Sequence, residues 1–241
     1  MRLAGIDLAW QGAKNPSAVA IASLDVNTMT VEALAPSLGG PSGVADYLAS
    51  YSDIRGIAID APLIINNTSG QRPCEKQLST EYGSRHASCH TSNLSLYPAP
   101  SSVALSEQLT RRGFQHLGQS NWQLECYPHP AIIECFGLPE RLKYKKGKVA
   151  DKKRGQIELA GYLNQLAQSS ILALVIPDAF SHFLNASHID SLTGRALKEN
   201  EDALDALMCV YIAGLFELKV AGTQYGDVDN GYIWVPRVRC I

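Results

Sequence analysis

Apolar and polar positions alternate differently along the chain, and the change of period divides it into elements. Leu3 to Trp10 is apolar apart from one acid, Asp7, and predicts a first strand ended by a turn over residues 12–16. Ser17 to Leu24 is apolar and partly β-branched, Asp25 to Thr28 has turn composition, and Met29 to Leu34 alternates as a half-buried strand does. Three strands with short links predict an antiparallel meander. Gly39 to Gly43 breaks the pattern, and Ser42 is placed to cap a helix through Ser50, with Val44, Tyr47, Leu48 and Tyr51 on one face. Arg55 to Pro62 is a short apolar run with Asp60 near its end, a buried strand that Pro62 stops. The opening order is therefore βββαβ.

From Leu63 to about Asn121 the periodicity is irregular, with a polar, helix-compatible piece and a predicted helix from Ser106 to about Leu117. No part of this stretch holds a core-sized apolar set. It is expected to be an insertion, about residues 64–121, in a single domain spanning 1–241. Trp122 to Pro128 resumes as a strand containing Glu125, and Pro130 opens a short helix to Phe136. Gln156 to Gln168 is amphipathic, whereas Ile171 to Ile176 fits helix or strand equally well. A helix is expected from about Glu201 to Lys219, capped by Asn200, and Tyr232 to Pro236 predicts a terminal strand. From Ala206 to Phe216 every residue is apolar or Gly, so this late helix should be buried on all sides.

Composition adds little until it is read by segment. The 241 residues are 46% hydrophobic with net charge −2, enough for a sizeable core and neutral as to partner. Eight of the 21 Lys and Arg residues, but one of the 23 Asp and Glu, fall between Arg141 and Arg154, so one segment is basic and the rest acidic. The six cysteines contain no CxxC pair, which favours a reducing, cytoplasmic setting. No apolar run approaches the roughly 20 residues that span a bilayer, and no membrane association is expected.

The chemistry concentrates in acids placed against propensity. Asp7 lies among apolar neighbours in a strand and Asp60 repeats the anomaly, although a strand-end Asp also caps turns. Asp202 and Asp205 lie three apart on the late helix and share a face. Asp202 has a capping explanation and Asp205 does not, so Asp205 is expected to lie closer to Asp7. If the first and fourth strands are parallel neighbours, Asp7, Asp60 and the acidic helix end meet, with Glu125 nearby. Like charges so close need compensation. Two divalent cations roughly 4 Å apart would provide it and could activate water for phosphodiester cleavage.

Six stretches in order, Gly5 to Trp10, Ala58 to Leu63, Arg72 to Glu75, Tyr82 to Ala87, Glu125 to Pro128 and Asp202 to Leu207, resemble the family catalogued as domain of unknown function 429. Its members are described as predicted nucleases of ribonuclease H-like fold. The resemblance implies an α/β domain with a mixed five-stranded sheet flanked by helices, and more distantly resembles RuvC-type resolvases, where Asp60 would usually be Glu. It implies a metal-dependent nuclease using Mg2+ or Mn2+, with Asp7, Asp60 and Asp205 as ligands and Asp202 and Glu125 as further ligands or supports. Arg85 and His86, in the matched Gly-Ser-Arg-His stretch, suit phosphate binding and proton delivery. Lys145, Lys146, Lys148 and Arg154 offer phosphate contacts, with Tyr144 available to stack on a base. Nucleic acid is the expected partner, and a homodimer is compatible with the sequence.

Three alternatives remain at this level. A non-catalytic module could bind nucleic acid or protein through the basic segment. An ATP-dependent phosphotransferase could use the same sheet, although the Gly-rich phosphate loops are missing. A zinc site from Cys74, Cys89, His86 and His90 is conceivable, but no paired CxxC supports it.

Overall fold

The computed structural model describes residues 1–10 and 15–241. Most of the turn expected over residues 12–16 lies outside the described residues. Strands β1 (Arg2–Asp7), β2 (Pro16–Asp25) and β3 (Thr28–Gly39) form the expected antiparallel meander. Helix α1 (Gly40–Ala49) follows, begun by Gly40 at φ +61° and by Pro41, whose fixed φ suits a first turn. Strand β4 (Ile54–Asp60) then runs parallel to β1, with Asp7 directly opposite Asp60.

The segment after β4 holds α2 (Pro73–Tyr82), α3 (Ser101–Arg111) and the two-residue β5 (Gln115–His116). The helix expected over 106–117 thus begins and ends earlier. Leu105 and Leu109 give it a buried stripe, and Gly113 at φ +97° turns the chain back. Strand β6 (Trp122–Glu125) pairs in parallel with both β4 and β5. Helix α4 (Pro128–Phe136) is followed by α5 (Val149–Gln165), which takes in residues 149–154 of the basic segment. The ambiguous stretch around residue 174 becomes β7 (Ala173–Val175), parallel to β3. Short helices α6 (Asp178–Ser181) and α7 (Ala186–Ser191) precede α8 (Gly194–Glu217).

The central sheet therefore has seven strands in the order β5-β6-β4-β1-β2-β3-β7, not five. The two extra strands are edge strands of two and three residues, too short for an alternation to reveal. The expected terminal strand, β9 (Gly231–Pro236), pairs instead with β8 (Gly222–Asp227) in a separate hairpin.

Alternation along β1 and β4 decides what each face of the sheet meets. Ala4, Ile6, Ile57 and Ile59 pack toward α1 and α3, whereas Leu3 and Ala58 pack toward α8. Counting by twos from Leu3 and Ala58 puts Asp7 and Asp60 on the α8 side. Helix α8 lies across β1, β2, β3 and β4 and is buried from Asn200 to Leu215, as its apolar sequence predicts. Among the described residues no helix is long and apolar enough to cross a membrane.

Candidate active site

Four aspartates from three elements converge at the carboxyl ends of β1 and β4. A close crossing makes this possible. A Cβ added to Gly5 would lie 2.0 Å from the Val210 backbone nitrogen and 2.5 Å from the Ala206 carbonyl oxygen, so only glycine lets α8 lie this near β1. Side chains on a helix lean toward its N-terminus, so Asp205 and Asp202, just before this crossing, are carried toward Asp7 and Asp60.

Helix α8 does not begin where the sequence indicated. Thr193 is its N-cap, and Asn200 is buried in the second turn, where its side chain donates to Gln156 Oε1 at 3.0 Å. Asp202 therefore has no capping role. It is 2% exposed and bonded through Oδ1 to Lys198, and its buried Oδ2 has no hydrogen-bond partner among the described residues. Asp202 and Asp205 both lie near enough to Asp7 for its charge to raise their carboxyl pKa values. Helix α8 starts about two turns earlier than expected, which places both acids well inside it.

Asp205 accepts the Tyr144 hydroxyl at Oδ1 (2.7 Å), and the Lys145 ammonium lies 2.7 Å from its Oδ2. That second contact is an ion pair without the direction of a good hydrogen bond, because Oδ2 has no hydrogen-bond partner. The same ammonium is 3.8 Å from Asp60 Oδ2. Lys145, expected to contact phosphate, is also a counter-ion of the acid cluster. Tyr144 was expected to stack on a base and is fully buried.

Burial, with Asp7 adding repulsion and Lys145 opposing, pushes the Asp60 carboxyl up to about 8. Burial and Asp7 push Asp202 up to about 8 against Lys198, and burial pushes Asp205 up to about 6 against Lys145. The cluster is thus short of positive charge.

A stability profile should show this shortage. An acid with a raised folded pKa holds its proton in the native state after the unfolded chain, titrating near 4, has lost it, so stability falls as pH rises through that interval. Buried neutral His116 and His129, whose pKa values burial lowers, act oppositely below about pH 6.5. Lys145 and Lys198, raised by their acids against burial, titrate well above this range. In metal-free buffer the melting temperature should therefore fall between about pH 6.5 and 8, with a slope up to about 1.4 kcal/mol per pH unit for each retained proton. A flat or rising melting temperature there would contradict the charge shortage.

Glu125 was expected as a ligand or support. Its Oε1 and Oε2 are held by Arg72 at 2.6 and 3.0 Å, and Oε2 also takes the Leu63 amide at 2.8 Å, so it braces the chain that follows Asp60. Arg72 was not foreseen, and its side chain is almost fully enclosed. Arg85 donates to Glu134, Leu138 and Pro139, which engages three of its five N–H groups. His86 is exposed beside Glu140 on the rim. Lys148 and Arg154 are exposed on α5 or at its start, Arg154 paired with Asp151, and neither lines the cavity at the acid cluster.

That cavity has a volume of about 540 Å3 and runs from Asp7 and Asp60 to Arg141, Lys145, Lys146 and His129. His129 had no role in the sequence reading, since a lone His before an apolar helix carries no signal.

Among the described residues, no group of three or more His, Cys, Asp and Glu side chains is set to hold a metal ion. Neither the zinc quartet nor a cage of Asp7, Asp60 and Asp205 is assembled, and Lys145 stands between the latter two. The donors at Asp7 and Asp202 do suit one hard cation, since the Asp7 charge raises the Asp202 pKa and, among the described residues, Asp202 Oδ2 is buried without a hydrogen-bond partner. Magnesium is commonly held by one or two carboxylates plus water and substrate oxygens.

A family model described as "Protein of unknown function (DUF429)" matches residues 5–228, a span containing all four aspartates. No curated protein matches the chain, and no solved structure does.

Proposed function

The chain belongs to the DUF429 family, whose description names no activity, and on the geometry of its site we propose that it hydrolyses phosphodiester bonds of nucleic acid with a divalent cation, Mg2+ or Mn2+. The observation that carries this reading is the grouping of Asp7, Asp60, Asp202 and Asp205, of which Asp7 and Asp60 line a cavity that Arg141, Lys145 and Lys146 line as well. An antiparallel β1-β2-β3 meander with β4 parallel to β1 supports a ribonuclease H-like assignment for the sheet. Asp7 and Asp202 would hold the ion, which when bound supplies an activated water and neutralises charge on the departing oxygen.

The remaining work falls to the chain itself. Lys145 offsets one negative charge of the Asp205 and Asp60 pair, so an incoming phosphate would be attracted by Arg141 and Lys146 along the same cavity. Tyr144 and Lys145 together fix the Asp205 carboxylate. Lys198 orients Asp202 so that its free oxygen stays beside Asp7. Asp60, on the cavity wall, holds a proton at neutral pH while the cluster lacks its cation.

The test is a panel of branched, duplex and single-stranded DNA and RNA with magnesium or manganese. Asp7→Asn is expected to reduce cleavage about 10^3-fold, about 4 kcal/mol of transition-state stabilisation. Absence of any cleavage that this substitution removes would sink the reading. A second reading, a non-catalytic module binding nucleic acid or protein, draws on the Lys145 ion pairs, which already satisfy half the cluster. It requires affinity that falls steeply with salt and ignores both metal and Asp7.

A further inference from the structure

The cavity wall opposite the aspartates carries polar groups that nothing in the fold satisfies. Arg141 Nε and His129 Nδ1 are both buried without a hydrogen-bond partner. His129 is 6% exposed, and its ring is set edge-on against Tyr127 at 5.6 Å and Tyr144 at 5.2 Å, so it is held rather than loose. The Arg141 backbone amide is anchored to the Arg85 carbonyl at 3.1 Å. Other cations around the cavity are paired: Lys145 with Asp205 and Asp60, Lys143 and His86 with Glu140. Among the described residues neither Arg141 nor Lys146 has a carboxylate within ion-pair distance.

We propose that Arg141, His129 and Lys146 form a phosphate-binding subsite on this wall, separate from the aspartates but sharing their cavity. A guanidinium presents its donors in a fixed fork that matches phosphate oxygens, and Lys146 adds a point charge. An unmet buried donor is costly, and an anion removes that cost. His129 sits in the first turn of the nine-residue α4, at its positive end. Burial and the charges of Lys145, Arg141 and Lys146 keep its ring neutral, so it offers the anion one N–H without adding to the charge. A carboxylate ligand would use the fork equally well, but it lacks the third oxygen needed to reach Lys146 and His129 together. The cavity is much larger than one phosphate, so the rest of a strand can extend from this anchor to the aspartates. Its role as a substrate subsite rests on the hydrolase reading, whereas phosphate binding as such does not.

Calorimetric titration of the metal-free protein with inorganic phosphate at low salt tests it. The wild type should bind. Arg141→Met and Lys146→Ala should each weaken binding about tenfold or more, and Arg141→Lys should restore part of the loss. Lys146 is exposed, so its alanine variant tests the site even if an Arg141 variant folds poorly. Asp7→Asn should bind phosphate at least as well as the wild type. Oligonucleotides with and without a 5′-phosphate separate two sources: dependence on Arg141 only for the phosphorylated strand marks a terminal phosphate, and equal dependence marks an internal one. The subsite is overturned if millimolar phosphate does not bind, or if binding survives both the Arg141→Met and Lys146→Ala substitutions. Phosphate binding of the expected pattern without any metal-dependent cleavage would leave the subsite standing and remove the hydrolase reading.

Discussion

Replacing Arg72 with methionine is expected to destabilise the protein by about 3–5 kcal/mol, a large part of the 5–15 kcal/mol typical of a domain. Arg72 is 1% exposed and lies between two buried glutamates, donating to Glu75 Oε1 at 2.8 Å and to both oxygens of Glu125. Burial would depress the guanidinium pKa, but the Glu125 charge and hydrogen bond outweigh it and raise it. Glu75 is further held by the amides of Arg72 and Ser92. Methionine fills similar space and removes the cation that two enclosed carboxylates share. Urea denaturation measures the effect. Substituting the whole network, Arg72→Met with Glu75→Gln and Glu125→Leu, should cost less than Arg72→Met alone, because it strands no charge. A loss under about 1 kcal/mol for Arg72→Met would mean that water already reaches the pair. Because Glu125 holds the Leu63 amide, the single variant should also disturb the chain after Asp60.

Gly5→Ala is the second large effect, and it acts on stability and site together. The atoms an added methyl would meet, Val210 N at 2.0 Å, Ala206 O at 2.5 Å and Cys209 C at 2.6 Å, all belong to backbone and cannot rotate aside. Either β1 bends or α8 lifts. Overpacking in a rigid core commonly costs 1–3 kcal/mol, and a backbone clash on a helix that crosses four strands belongs at the upper end, about 3 kcal/mol or more. Lifting α8 also withdraws Asp202 and Asp205 from Asp7 and Asp60. Metal-dependent activity should therefore drop further than the folded fraction does. Thermal melts beside cleavage rates at a temperature where the variant is folded check this, and a variant with wild-type values in both would refute the close crossing as the device that assembles the site.

Asp7 and Asp60 were legible because carboxylates are disfavoured inside apolar strands, and the βββαβ order made their strands plausible neighbours. The register then proved exact, Asp7 opposite Asp60. The start of α8 was not legible. Asn200 before two acids looks like a cap, and the true first turns, Arg195 to Glu199, are largely exposed and bury only Leu197, too little of a pattern to distinguish them from a loop. Misplacing that start by seven residues gave Asp202 a capping role that it does not have.

The chain's own order of residues determined the meander, the buried late helix and the presence of two strand acids and a helical pair, because each is a local consequence of period or propensity. Tertiary structure alone decided which charges meet. Lys145 reaches Asp205 across 60 positions, and Arg72 reaches Glu125 across 53. Nothing within either neighbourhood distinguishes these cations from solvated ones, since a buried ion pair is set by where two distant backbones run. The same holds for Arg141 and His129, whose unsatisfied nitrogens become visible only when the surrounding walls are in place.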